Sequence, residues 1–178
     1  MKKHHQDRPA SGGFTLIEVI VVVGIMGILM LASYPSILNT MATRNLENTT
    51  RQIQTYLQQT KLQAVSTRIV HRVRFTRIAA SYWAYEMERL EANGTWVRAQ
   101  GAPRKAIPNG LNVTFTVPLS GADPVIIFSA VGTVANYSVG QNTITLQNPN
   151  LNRPGQMDQR VLSLYMGGSI QYAKRKST

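Results

Sequence analysis

Gly12-Gly13-Phe14-Thr15-Leu16-Ile17-Glu18-Val19 opens an apolar run that continues to Ala32, so that residues 14–32 read FTLIEVIVVVGIMGILMLA with Glu18 as the one charged side chain. A helix of about 20 residues, rising about 1.5 Å per residue, matches a hydrocarbon core of about 30 Å, and this run is just long enough to cross a bilayer. On its N-terminal side, residues 1–13 carry Lys2, Lys3 and Arg8 against Asp7, while residues 33–43 carry no charge. Basic residues on one flank hold that end in the cytoplasm, which directs the rest of the chain outward.

A basic stretch before an apolar run also describes a secretory signal peptide. The run is longer than the apolar core of about 7–15 residues that such a signal needs, and Ser33-Tyr34-Pro35 is a poor small-residue cleavage site. Glu18 is the sharper discriminator. A carboxylate lying deep and unpaired in a membrane costs about 2.5–3.5 kcal/mol or more. Cleavage after Gly13 would give Phe14 an α-amino group, a cation one helical turn from Glu18 of the same chain or beside Glu18 of a neighbour.

Residues 12–19 resemble the class III signal of type IV prepilins and type II secretion pseudopilins. The resemblance implies that a membrane-embedded prepilin peptidase cleaves after Gly13 and methylates the amine of Phe14. It also implies that Glu18 neutralises a terminal amine while a filament assembles. Pro35 resembles the helix-kinking proline of such proteins; its plainer reading is a break at the membrane exit, since proline removes an intrahelical hydrogen bond wherever it falls. Gly24 and Gly27 allow close approach of neighbouring helices, as small residues do between membrane helices.

Beyond Pro35, Leu46, Thr50, Ile53, Leu57, Thr60 and Ala64 recur at alternating steps of four and three, with Arg44, Glu47, Arg51, Gln54, Gln58 and Lys61 mostly elsewhere. That spacing predicts an amphipathic continuation of the helix over 34–67, following a membrane or filament-core segment at 14–33 and a cleaved leader at 1–13. From Ile69 the period changes to two. Ile69, His71, Val73 and Phe75 alternate with Val70, Arg72, Arg74 and Thr76, and Trp83, Tyr85 and Met87 alternate with Glu86 and Glu88. Paired antiparallel about a turn at 78–82, these strands set Arg74 opposite Glu86, Arg72 opposite Glu88 and Phe75 opposite Tyr85. Further strands are expected at 111–117, 125–128, 142–146, 160–165 and 169–172, between turns rich in Gly, Pro and Asn. The expected fold is α+β: one long N-terminal helix, then a small antiparallel β-rich domain at 68–173 and a basic tail at 174–178.

Composition narrows the chemistry. With 178 residues, 43 % hydrophobic and 15 % charged, the chain has ordinary globular composition rather than that of a disordered one. Cys 0 excludes disulfide scaffolds, Cys-ligated metals, thiol nucleophiles and a lipid-modified N-terminal cysteine. The net charge of +11 raises nucleic acid as a partner, and equally a membrane surface or acidic subunits. His71 is the one histidine left after Gly13, on the apolar-facing side of a strand, where a core imidazole is the simpler role. Glu86, Glu88 and Glu91 read as an exposed strand face without a second ligand type beside them. Asp123 and Asp158 lie in turns with one carboxylate per loop, which is weak for calcium, and neither Gly-x-Gly-x-x-Gly nor a phosphate loop occurs. No catalytic residue, cofactor or metal is expected.

The segments 127–133, 143–146 and 160–170 are similar in order and spacing to the GspH/FimT family of minor pseudopilins and minor pilins, which implies a long helix and a two-sheet β domain. Some FimT-like members are thought to bind DNA through a C-terminal Gly-Arg-x-Arg motif. The matching positions here are Gly168-Ser169-Ile170-Gln171, lacking both arginines, although Lys174, Arg175 and Lys176 follow and offer phosphate contacts. A solvated, frayed terminus is the simpler reading of those three, and with Tyr165 and Tyr172 alone nearby a base-stacking platform is poorly supported. The expectation is therefore a non-catalytic subunit of a type II secretion pseudopilus or type IV pilus. It would sit in the inner membrane with its N-terminus cytoplasmic and its β domain periplasmic, with prepilin peptidase and other pilins or pseudopilins as partners. A DNA-binding minor pilin of a competence pilus is the alternative.

Overall fold

The structure is a computed structural model that describes residues 13–79, 82–151 and 155–177. The chain divides into two units, Met1–Leu38 and Asn39–Thr178. Helix α1 (Leu16–Thr67) begins in the first and ends in the second. Pro35 lies within it, so the helix runs through a position that cannot donate to the preceding turn.

Within 39–178 the expected apolar stripe is the buried face of α1. Leu46, Thr50, Ile53, Leu57, Thr60 and Ala64 are each fully buried, joined by Tyr56 and Thr49. Of the three buried threonines, Thr50 and Thr60 are satisfied within the helix, Thr50 Oγ1 donating to the Leu46 carbonyl and Thr60 Oγ1 to the Tyr56 carbonyl, both at 2.8 Å. Each large apolar side chain on this face contributes about 1.5–3 kcal/mol by leaving water. The helix ends at Thr67 because Arg68 adopts φ 56, the left-handed conformation that closes helices.

Ten strands follow: β1 (His71–Ala79), β2 (Tyr82–Leu90), β3 (Trp96–Arg98), β4 (Lys105–Ile107), β5 (Asn112–Thr116), β6 (Leu119–Ser120), β7 (Asp123–Phe128), β8 (Thr143–Gln147), β9 (Gln159–Leu164) and β10 (Ile170–Arg175). One sheet has the order β3-β2-β1-β7-β6 with β4 also on β2; the other has the order β10-β9-β8-β5, and the pairings are antiparallel. The β1/β2 register is the expected one, with Arg72 opposite Glu88, Arg74 opposite Glu86 and Phe75 opposite Tyr85. Residues 80 and 81 of the expected turn lie outside the described residues, as do 152–154 of the expected turn before β9.

Aromatic contacts join the two sheets to each other and to the helix. Phe115 of β5 lies 4.8 Å from the ring centroids of both Phe75 and Trp83, and Tyr85 meets Tyr56 edge-on at 5.0 Å. The Tyr56 hydroxyl accepts from the Met87 amide at 3.0 Å and donates to the Pro103 carbonyl at 3.0 Å. Burial raises the Tyr85 phenol to about 12, with Tyr56 adding to the effect.

The turns place two glycines against α1. Gly168 has φ +74, and a Cβ there would collide with the Gly132 carbonyl oxygen. A Cβ on Gly132, at φ +84, would meet Val65 Cγ2 at 3.0 Å and Lys61 Cε at 3.1 Å. Lys61 Nζ donates to the Gly168 carbonyl at 3.1 Å, which ties the helix to the β9–β10 turn.

Candidate functional site

The N-terminal unit is a helix with its apolar side chains on the outside. Phe14 is 83 % exposed and Leu16 78 %, and the large apolar residues from Ile17 to Leu38 are exposed with them. The most apolar window of α1 has a mean hydropathy of 2.6 with none of it buried, so the helix is long and apolar enough to cross a membrane. Beyond the adjoining residues and helix backbone, no atom of the described residues lies within 4 Å of a Cβ built on Gly24 or Gly27. Gly13 precedes the helix and is exposed, whereas residues 1–12 of the leader expected at 1–13 lie outside the described residues.

Thr15 caps this helix. Its Oγ1 accepts from the Glu18 amide at 3.3 Å, and its carbonyl accepts from the Val19 amide at 3.2 Å. Thr15-Leu16-Ile17-Glu18 has the spacing of a capping box, and the carboxylate in the first turn sits where the helix dipole favours negative charge. The sequence reading passed over this local role; the signal for it is a threonine three residues before a glutamate at the start of an apolar helix. Glu18 lies four residues after Phe14, the residue whose amine cleavage after Gly13 would free.

In the β domain the carboxylates are already occupied. Arg72 Nε donates to Glu88, and the Arg72 guanidinium lies 4.2 Å from the Trp96 ring centroid. Arg74 Nη2 reaches Glu86 and Glu88 at 3.1 Å each, with Asp123 at 4.0 Å from its Nε. Burial alone would lower the Arg74 guanidinium, yet Glu86, Glu88 and Asp123 hold it above its ordinary value. Arg89 pairs with Glu91 at 2.7 Å. Glu47 takes Arg51 at 2.9 Å and Lys174 at 3.4 Å, and the Arg51 hydrogen bond leads in holding its carboxyl below the usual range.

Several expectations change here. Glu88 is buried and Glu86 is partly buried, so they are members of an ion-pair network under Trp96 and not an exposed face. Asp123 opens strand β7, and its carboxylate accepts from Thr76 Oγ1 at 3.4 Å. Asp158 is buried and accepts from the Ser177 amide and hydroxyl at 2.7 Å each and from Gln147 at 2.8 Å. Burial pushes the Asp158 carboxyl up, but those hydrogen bonds outweigh it and hold it at about 2. His71 is buried with Nδ1 2.8 Å from the Ile69 carbonyl.

The C-terminal segment is not a frayed tail. Lys174 and Arg175 end strand β10, opposite Arg160 and Gln159 of β9, and Ser177 is pinned to Asp158. Lys174 is the partner of Glu47, and Arg175 and Lys176 are exposed.

Residues 8–34 match the family model described as the prokaryotic N-terminal methylation motif. No curated protein matches the chain. Two crystal forms of the type IV minor pilin FimU of Pseudomonas aeruginosa are similar to it in structure. The P21 form has 20% identity over 74% of this chain and 90% of that one, with a TM-score of 0.48. The P65 form has 21% identity over 72% and 92%, with a TM-score of 0.46.

Proposed function

We propose that the chain is a minor structural subunit of an inner-membrane filament, a type IV pilus or a type II secretion pseudopilus, and that it performs no catalysis. The observation that carries this reading is the methylation motif at 8–34, whose residues from Leu16 onward are helical with their large apolar side chains exposed among the described residues. In this reading a prepilin peptidase cuts after Gly13 and methylates Phe14, and the helix anchors the subunit in the inner membrane with the leader cytoplasmic and the β domain periplasmic. On assembly the helix exchanges lipid for neighbouring helices, with Gly24 and Gly27 as the close-approach face.

The Glu18 carboxylate sets the register. In a medium of low dielectric an unpaired charge is costly, so a neighbour's Phe14 amine at the height of Glu18 is strongly preferred over a slipped position. Glu18→Ala tests this, with membrane fractionation and filament yield read separately. The variant is expected to insert in the membrane as the parent does and to fail to enter filaments; normal incorporation would remove the electrostatic role.

A further inference from the structure

Between α1 and the 98–105 segment the β domain carries a groove of about 490 Å³, within the range of roughly 300–1,000 Å³ typical of ligand clefts. Tyr56, Gln59, Leu62 and Gln63 form one wall, Met87 belongs to its lining, and residues 100–103 with Lys105 form the other. Lys105 is the one charged side chain among them, and its ammonium has the Tyr56 ring, 5.6 Å to the centroid, as its partner among the described residues. We infer that this groove docks an extended acidic segment of another protein, whose carboxylate pairs with Lys105 while an adjacent apolar side chain lies against Leu62 and Pro103, the exposed apolar members of the lining.

The domain's own carboxylates are already committed. Every Asp and Glu between residues 39 and 178 already has a partner: Glu47, Glu86, Glu88, Glu91 and Asp123 in ion pairs, and Asp158 with Ser177 and Gln147. Among the described residues of this domain no side-chain carboxylate is left over to neutralise Lys105. Arg104 follows the groove wall in sequence and is exposed, and Arg98 is half exposed with Glu86 at 3.9 Å, so the rim is cationic too. A cleft lined by one sign of charge over a low-dielectric wall concentrates the opposite sign.

The remaining lining favours a peptide over a nucleic acid. Gln59, Gln63 and Gln100 offer amide donors and acceptors that match peptide groups. Leu62, Met87, Ala102 and Pro103 supply apolar wall, whereas a strand of bases needs open stacking faces and the aromatic ring in the lining, Tyr56, is buried.

The test uses the full chain in detergent micelles and a short fluorescein-labelled peptide of alternating Glu and Leu, followed by anisotropy. Its Gln-for-Glu counterpart and a DNA duplex serve as competitors. Binding of the Glu peptide is expected to weaken about tenfold or more in Lys105→Glu, as for loss of a charge-assisted contact. Leu62→Glu, at a position 67 % exposed and so tolerant of change, should weaken it likewise. Arg44→Glu, exposed on α1 away from the groove lining, should leave it unchanged. No binding, equal binding of the Gln peptide, indifference to both groove variants, or displacement by the duplex in preference to the peptide would each overturn the inference.

Discussion

Arg72 and Glu88 face each other across β1 and β2 as a buried ion pair, with the Trp96 ring stacked on the guanidinium. Both side chains are more than nine-tenths buried, so the Arg72 charge depends on Glu88 for its ion pair, while Glu88 is shared with Arg74 at 3.1 Å. Two of the chain's basic residues, Arg72 and Arg74, are thereby committed to the fold and withdrawn from any ligand.

Removing one member of the pair should be far worse than removing both. Glu88→Gln is expected to destabilise the domain by about 3–5 kcal/mol, the usual cost of stranding a buried charge. The double variant Arg72→Met/Glu88→Leu should recover much of that loss. Chemical denaturation of the four proteins of the cycle measures it, and additive losses would show that the two residues do not act as a pair.

Tyr56 joins α1 to β2 and to the 103 carbonyl through one hydroxyl. Tyr56→Phe keeps the ring contact with Tyr85 but leaves the Met87 amide without an acceptor, for an expected loss of about 1–3 kcal/mol. Hydrogen exchange at the Met87 amide should accelerate. An unchanged exchange rate would mean that the hydroxyl is not that amide's acceptor.

At Gly168 both backbone conformation and space exclude a side chain. Gly168→Ala should cost about 1–2 kcal/mol from the left-handed backbone alone, with more from the collision with the Gly132 carbonyl. Gly155, at φ +80 with open space around its Cβ position, should show the backbone term without the collision. Equal melting temperatures for the two alanine variants would contradict that distinction.

Asp158 makes the C-terminus sensitive to acid. Its carboxyl is held at about 2 in the folded chain, below the ordinary value of about 3.9 for an unfolded Asp. The stabilisation is therefore fully present above about pH 4 and is lost as the pH falls through about 2. Asp158→Asn should remove that part of the acid dependence, read from the pH profile of denaturation midpoints. The same profile in the variant as in the parent would assign the acid dependence elsewhere.

The amphipathic stripe of α1 and the β1/β2 register were legible because periodicity and charge pairing are local: six positions at helical spacing, and arginines at the same spacing as the glutamates opposite. β3 and β4 were not, since Trp96–Arg98 and Lys105–Ile107 have no period of their own and become strands by adding to the edge of β2. The burial of Glu88 and the anchoring of Ser177 by Asp158 depend on partners that local spacing does not reveal. At the N-terminus Glu18 stood out as a charge in an apolar run, whereas its place in the first turn after the Thr15 cap emerged from the backbone.

The N-terminus of the protein recovered from inner membranes of cells that contain a prepilin peptidase is the most direct test of the proposed filament role. N-terminal sequencing with intact mass should give a chain that begins at Phe14 and carries one methyl group on its amine. A chain that still begins at Met1, or one that begins beyond the apolar run near Ser33 to Pro35, would contradict it.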